Sequence, residues 1–255
     1  MIKLLSTDFD GTLVNHDQVP AVSPRLFEIL AEMRERGSLW AVNTGRAVHH
    51  IVQGLEEYAF PFQPDFIVTS ERDIFRPKAG GGGWEDFGDW NKRGFHAHNQ
   101  LYEEARPLIE EIHFYIKNNT KAQPINELSG IGIIASDEEE MERIARFIDT
   151  LRPRMPAFQY QRNTRYMRFC HSDYSKGTAL GELARLLDVR KEAIFAAGDH
   201  YNDISMLDGQ YAKCVACPAN SADAVKETVR SAAGYVASAS FSDGVVEALR
   251  FFTRE

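Results

Sequence analysis

The feature that most constrains this chain is a unit it repeats: a short, mostly apolar run, a polar turn, then an amphipathic helix. Ile2 to Leu5 leads into Asp8-Phe9-Asp10-Gly11-Thr12, and Leu39 to Val42 leads into Asn43-Thr44-Gly45-Arg46. Buried strand runs alternating with helical patterns predict a parallel, doubly wound sheet with helices on both faces. In such a sheet the turns after the strands gather on one edge, and ligands bind there.

The helices between these runs can be read from their punctuation. Ser23-Pro24 opens one, Leu26, Ile29, Leu30 and Met33 give it one apolar face, and Gly37 stands at its stop, so it covers about Pro24 to Arg36. A second carries Val48, Ile51, Val52 and Leu55. The pattern breaks at Gly80-Gly81-Gly82-Gly83, which cannot be helix or strand interior. Beyond it the periodicity predicts a helix from about Leu101 to Lys117, an apolar strand Ile131 to Ala135, and a helix opened by Ser136 with Glu139 as a capping box. Two further strands are expected near Ala157 to Tyr160 and Tyr166 to Cys170. The sheet pattern resumes after Ser175-Lys176-Gly177. A helix with Leu180, Leu183, Ala184 and Leu187 precedes the strand Ala193 to Ala197, which ends in Gly198-Asp199-His200-Tyr201-Asn202-Asp203. The expected organisation is an α/β, Rossmann-like doubly wound core from residues 1–79 and 171–255, with an inserted smaller α+β domain at 80–170.

With 255 residues and 44% hydrophobic content the chain can bury a sizeable core. Its net charge of −8 argues against a nucleic-acid or anionic-membrane surface. No run has signal-peptide form, and none of about 18 apolar residues could span a bilayer. Three cysteines make no disulfide framework, so a reducing cytoplasm is expected. Cys214-Val-Ala-Cys217 has the spacing of a zinc half-site, but it continues an apolar strand run and no second pair completes it.

Four polar elements therefore share one edge: Asp8 with Asp10, Thr44, Lys176, and Asp199 with Asn202 and Asp203. Carboxylates a few ångströms apart repel by about 4 kcal/mol per pair at an effective dielectric near 20, so they take up protons or bind a hard cation. Mg²⁺, held by carboxylates, water and substrate phosphate, suits them. Beside such a cation a carboxylate can attack a phosphoryl group and form an aspartyl-phosphate, while a Lys and a Thr hydroxyl stabilise the transferring oxygens.

At this point the chain resembles the haloacid dehalogenase superfamily of phosphatases, and within it the Cof-type hydrolases with a large cap inserted between the second and third motifs. The resemblance rests on Asp8-Phe9-Asp10-Gly11-Thr12-Leu13, Asn43-Thr44-Gly45-Arg46, Ser175-Lys176-Gly177 and Gly198-Asp199 with Asn202-Asp203. Cys214 to Asn220 and Asp243-Gly244-Val245 echo it towards the C-terminus. It implies Asp8 as nucleophile and Asp10 as general acid, with Thr44 and Lys176 on the phosphoryl oxygens. Mg²⁺ would be held by Asp8, the Asp10 carbonyl and Asp199, with Asp203 orienting a metal-bound water or Lys176. Gly11, Thr12, Gly45, Arg46 and Asn202 are implied at the substrate, Asn202 as a phosphate contact or a support behind it.

The implied activity is hydrolysis of a small phosphorylated metabolite, such as a sugar phosphate, through an aspartyl-phosphate. A phosphomutase or phosphotransferase shares that intermediate, and a non-enzymatic phosphoacceptor combines similar residues. Against the last stand Asp10 and the large insert, and no glycine fingerprint of a nucleotide-binding module follows the first strand. Two departures stand out. Val68-Thr69-Ser70-Glu71-Arg72 replaces the family's usual Asn-Gly, and His200 replaces a small residue; either change could reshape the substrate pocket, but for Glu71, Arg72 and His200 surface substitution without a specific role is the favoured expectation.

The insert is expected to carry substrate choice. Trp84, Trp90, His96, His98, Arg162, Arg165 and Arg168 are its candidates for stacking on a sugar or meeting a second anion, although a spacing of three cannot keep the arginines on one strand face. Tyr166 and Phe169 are expected in the insert's core, and His49, His50 and His113 on helix surfaces.

Overall fold

The computed structural model describes residues 1–127 and 130–253. In chain order these form β1 (Leu4–Thr7), α1 (Pro24–Glu35), β2 (Leu39–Asn43), α2 (Val48–Glu57), β3 (Phe66–Thr69), β4 (Asp73–Pro77) and β5 (Trp84–Asp86). Next come α3 (Trp90–Glu104), α4 (Arg106–Asn119), β6 (Gln123–Glu127), β7 (Gly130–Ile134), α5 (Glu138–Leu151), β8 (Phe158–Asn163) and β9 (Tyr166–His171). The chain closes with α6 (Lys176–Leu186), β10 (Ile194–Ala197), α7 (Ile204–Leu207), β11 (Cys214–Cys217), α8 (Asp223–Ser231), β12 (Tyr235–Val236) and α9 (Phe241–Thr253). Two compact units result: Met1–Asn91 with Lys176–Glu255, and Lys92–Ser175.

The first unit is built on a sheet ordered β12-β11-β10-β1-β2-β3-β4-β5. From β12 to β3 every pairing is parallel, and β4 and β5 add an antiparallel edge. All four residues of β1, β3 and β10 are buried, as strands covered on both faces must be. From β1 the chain runs outward through β2 and β3, then returns to β10 on β1's other side. The strand order thus reverses between β1 and β10, so the crevice at their carboxyl ends is the switch point.

The helix α1 matches its expected span, burying Leu26, Ile29, Leu30 and Met33, with Gly37 beyond its end at φ +78°. Ser23 holds the N-cap position, yet its hydroxyl donates to Asp243 instead of capping. The CVAC run is β11, with Cys217 fully packed; among the described residues no cluster of metal-ligating side chains includes either cysteine.

The four-glycine run does not open the insert. Gly80 to Gly83 all have positive φ and turn the chain from β4 into β5, both hydrogen-bonded into the first unit's sheet. That pairing carries the first unit on to Asn91, past the boundary expected at residue 79. Trp84 consequently packs against the first unit's core, and the Trp90 indole N–H donates to the Arg72 carbonyl within the same unit.

In the second unit the antiparallel sheet β6-β7-β9-β8 packs an apolar face against helices, with Ile133, Phe158, Met167 and Phe169 buried. The single helix expected over Leu101 to Lys117 is two, because Pro107 cannot donate to residue 103 and its ring clashes there, so α3 ends and α4 starts around Ala105. The cap of α5 is Asp137, accepting from the Glu140 N–H, one residue on from the expected Ser136 and Glu139. That register turns Met141, Ile144 and Ile148 inward.

Candidate active site

The buried strand β1 ends by delivering Asp8, whose backbone N–H still pairs with the Ala197 carbonyl of β10. Asp8 is 6% exposed and Lys176, at the start of α6, is wholly buried. The Lys176 Nζ donates to Asp8 Oδ1 at 2.7 Å and to Asp203 Oδ1 at 2.6 Å. Burial alone would lower the lysine's pKa, but Asp203, Asp8 and Glu71 raise it, so it stays an ammonium. Burial is also the main force on Asp8, lifting it well above the carboxylate range against the pull of Lys176, with Asp203 and Asp199 adding to the rise. Asp199 is pushed up to about 7 by burial and then by Asp203, with the Thr12 hydroxyl opposing.

The turns after β1 and β10 are in intimate contact. Thr12 Oγ1 donates to Asp199 Oδ1 at 2.7 Å. Gly11, at φ +79°, lies so close that a Cβ there would stand 2.4 Å from Asp199 Oδ2. Asp203 closes the second turn: its Oδ2 accepts the N–H groups of Asp199 and His200, both at 2.9 Å. Ligand oxygens of Asp8, Asp199 and Asp203 lie within 4.8 Å of one another, the one such group among the described residues. This hard-oxygen donor set fits a Mg²⁺ ion. The oxygens of Asp203, however, already accept from Lys176 and two backbone N–H groups, so its observed contacts are with the protein's own donors.

Asp10 occupies the same turn with a half-exposed carboxylate. Arg46 grips it with both Nε (2.7 Å to Oδ2) and Nη2 (2.5 Å to Oδ1), and His16 Nε2 lies 2.7 Å from Oδ1. Arg46, expected at the substrate, is therefore engaged with Asp10, its guanidinium 5.3 Å above the Phe9 ring.

Thr44 is buried at the end of β2, its Oγ1 accepting the Arg46 N–H. Here the structure overturns the surface expectation for Glu71 and Arg72, which are 7% and 9% exposed. Ser70 and Glu71 adopt left-handed backbone, φ +49° and +64°, which costs non-glycine residues of order 1 kcal/mol each. This folds the turn onto residues 44–46: Glu71 N–H donates to Thr44 O, and Ser70 N–H to Arg46 O. The Glu71 side chain passes Gly45, where a Cβ would stand 3.2 Å away, and its Oε1 accepts from Asn202 Nδ2 at 2.7 Å. Asn202 is thus held from behind, and its buried Oδ1 has no hydrogen-bond partner among the described residues.

The structure brings together Asp8, Asp10, Gly11, Thr12, Thr44, Gly45, Arg46, Lys176, Asp199, Asn202 and Asp203 around the carboxyl ends of β1, β2 and β10. Sequence reasoning missed His16 and Tyr58 and favoured a surface role for Glu71. The one available signal was the Ser70-Glu71 departure from the Asn-Gly that the family resemblance leads one to expect, a pair that readily takes left-handed backbone.

Among the second unit's candidates, Arg162 pairs with Glu142 of α5 at 2.7 Å and Arg165 donates to the Ser136 carbonyl. Arg168, in register with Gln161, faces the opposite side from Arg162, and its guanidinium lies over Tyr166. Phe169 is core as expected, whereas Tyr166 is half-buried beside Arg168. His98 is buried between the Gly94 carbonyl and the His171 N–H, while His96, His49 and His50 are exposed and His113 is half-buried.

Residues 50–249 match the family described as haloacid dehalogenase-like hydrolase, and residues 1–71 match that of sucrose-6F-phosphate phosphohydrolase. The chain is 22% identical over 255 residues to the Bacillus subtilis (strain 168) protein named "Putative phosphatase YxeH", covering 89% of this chain and 91% of that one. Its fold is similar to the sucrose-phosphatase of Synechocystis sp. PCC6803, solved with sucrose and phosphate: TM-score 0.75, 18% identity, 99% of this chain and 98% of that one covered. The chain belongs to the haloacid dehalogenase-like hydrolases, and it is a phosphatase of that family.

Proposed function

We propose that the protein is a Mg²⁺-dependent phosphomonoester hydrolase that acts on a small phosphorylated metabolite through an aspartyl-phosphate on Asp8. The observation that carries this reading is Asp8 itself: a buried carboxylate at the switch point, bonded to Lys176 and within 4.8 Å of Asp199 and Asp203. A sugar phosphate is the favoured class, supported by the match of residues 1–71 to a sucrose-phosphate phosphohydrolase family.

In the first half-reaction an Asp8 carboxylate oxygen attacks phosphorus, the bond to the ester oxygen breaks, and Asp10 gives its proton to the departing alkoxide. Thr44 and the Lys176 ammonium meet the negative charge on the phosphoryl oxygens. In the second half, Asp10, now a carboxylate, takes a proton from the attacking water. The bond between phosphorus and the Asp8 oxygen breaks, releasing phosphate and restoring both carboxyl groups. Asp8, Asp199 and the Asp10 carbonyl would hold Mg²⁺, which supplies the positive charge that keeps the carboxyls ionised and draws in the phosphoryl oxygens. Asp203 fixes the Lys176 ammonium and the Asp199–His200 backbone, and Glu71 fixes Asn202. We assign substrate choice to the inserted unit and, from the three free cysteines, a cytoplasmic location.

The test is phosphate release from p-nitrophenyl phosphate and a panel of metabolite esters, with Mg²⁺ or with chelator, for the wild type and Asp8→Asn. Metal-dependent release that falls by about 10³-fold or more in Asp8→Asn is the expected result. Stable labelling of Asp8 without release would show a transferase or phosphoacceptor instead.

A further inference from the structure

The Asp10 carboxylate sits in a turn and is half-exposed, so nothing in the core fixes its rotamer. A group that must deliver a proton to one oxygen, then collect one from water, needs that fixing, since small misplacements of a reacting group can cost about 10²-fold in rate. Arg46 supplies one clamp. A second comes from residues outside every motif in the sequence: His16 Nε2 at 2.7 Å from Asp10 Oδ1, and Tyr58 Oη at 2.9 Å from His16 Nδ1. With the ring hydrogen on Nε2, the imidazole donates to Asp10 and accepts from the tyrosine, satisfying both nitrogens.

Tyr58 makes a sound anchor. It forms the C-cap of α2, and its ring packs on the buried Phe9, 6.2 Å between centroids, and edge-on to His16 at 5.8 Å. The chain of contacts thus runs from a core aromatic, through a phenol and an imidazole, to the carboxylate beside the nucleophile.

Stability does not account for this arrangement. The His16 side chain is 46% exposed and that of Asp10 32%, and exposed pairs of this kind contribute about 0–1 kcal/mol. The consequence lies in geometry: Arg46 fixes the plane of the carboxylate from one side, and His16 holds one of its oxygens from another direction.

We propose that His16, backed by the Tyr58 hydroxyl, is a positioning residue for the acid Asp10. This rests on the reading of Asp10 as general acid, and the experiment separates the two. The probes are p-nitrophenyl phosphate, whose leaving group departs readily without a proton, and phenyl phosphate, of similar shape, whose leaving group needs one. The measured quantity is kcat/KM, which reports the chemistry up to aspartyl-phosphate formation.

In His16→Ala, kcat/KM for phenyl phosphate should fall about 10-fold, part of the roughly 10²–10⁴-fold that a positioned acid contributes, and that for p-nitrophenyl phosphate about 2-fold. Tyr58→Phe should shift the ratio the same way by a smaller factor, and His16→Gln, which keeps a donor near Asp10, should recover much of it. Asp10→Asn should widen the ratio further than any of these.

Equal losses on both esters in His16→Ala, or no loss, would overturn the role of His16 while leaving the phosphatase reading intact. A wild type that turns over both esters, with Asp10→Asn leaving their ratio unchanged, would overturn the acid assignment itself. Release by the wild type from neither aryl ester nor any ester of the metabolite panel would overturn the phosphatase reading and the inference with it; release from metabolite esters alone moves the same comparison to an alkyl ester and an activated ester of the best substrate, where equal losses in His16→Ala overturn its role.

Discussion

Adding Mg²⁺ should stabilise the protein by an amount that grows with pH, and the size of the effect follows from Asp199. Its pKa is about 7 in the fold against 3.8 when exposed. The folded state therefore holds the proton more tightly, and between about pH 4 and 7 the native protein binds more protons than the unfolded chain. Stability of the metal-free protein falls as pH rises through that window, by on the order of 4 kcal/mol in all, and changes little from this source outside it. A cation competes with that proton. At pH 5 removing it costs on the order of 3 kcal/mol, which weakens the apparent affinity roughly a hundredfold, whereas at pH 8 Asp199 adds no such cost. With free Mg²⁺ about a hundred times its dissociation constant at pH 8, the stabilisation is about 3 kcal/mol there and well under about 1 kcal/mol at pH 5. For a chain of this length the difference amounts to roughly 5–9 °C in Tm. The assay is thermal unfolding followed by circular dichroism at both pH values, with Mg²⁺ or with EDTA, for the wild type and Asp199→Asn. A shift equal at pH 5 and pH 8, or no shift at pH 8, would refute the reasoning, as would an undiminished pH dependence in Asp199→Asn.

Glu71→Ala should release Asn202 and raise KM for p-nitrophenyl phosphate about 5–10-fold, roughly the 1 kcal/mol that a typical hydrogen bond contributes, whereas Glu71→Gln, which can still accept from Asn202, should stay within about 3-fold; steady-state kinetics of the pair decides it. Gly11→Ala combines a left-handed backbone with a Cβ 2.4 Å from Asp199 Oδ2 and should cost about 3 kcal/mol, a fall of roughly 6–12 °C in Tm. Gly37→Ala has the same backbone but open space around it, so it should cost about 1–2 kcal/mol, and equal shifts for the two variants would show that the contact with Asp199 is unimportant.

The parts of the site that could be read from the sequence are those in which chemistry and secondary structure sit side by side. Asp8, Thr44 and Asp199 each follow a buried strand, so their place on the sheet edge follows from the strand's burial. Lys176 begins a helix. Glu71 and His16 gave no such signal, because their roles depend on partners 131 and 42 residues away, and each looks like an ordinary surface residue. Burial of Glu71 follows from two left-handed residues folding its turn onto Thr44 and Arg46, a packing event without periodicity. The four glycines misplaced the boundary because a hairpin turn and a domain linker can carry the same composition; only the pairing of β5 with β4 separates them. Pro107 did mark the break between α3 and α4, but the apolar spacing on either side of it continues in phase and masks it. For α5, Ser136 with Glu139 and Asp137 with Glu140 are both capping boxes in sequence, and the buried faces of Met141 and Ile144 select the second.

The missed residues and the expected ones form one charge system. Five carboxyl groups, those of Asp8, Asp10, Glu71, Asp199 and Asp203, gather about two permanent cations, Lys176 and Arg46, and both cations are already engaged: Lys176 with Asp8 and Asp203, Arg46 with Asp10. A phosphate ester entering this crevice meets two cations whose charge is already shared with carboxylates, and repulsion between close like charges in such a setting is several kcal/mol. The burial that lifts Asp8 and Asp199 is the same imbalance seen from the protein's side. A divalent cation resolves both at once, since it restores the carboxylates to their ionised form and offsets the charge of the incoming phosphate. The acidic excess that argues against nucleic-acid binding across the whole chain is, at the switch point, the charge that the proposed Mg²⁺ would offset.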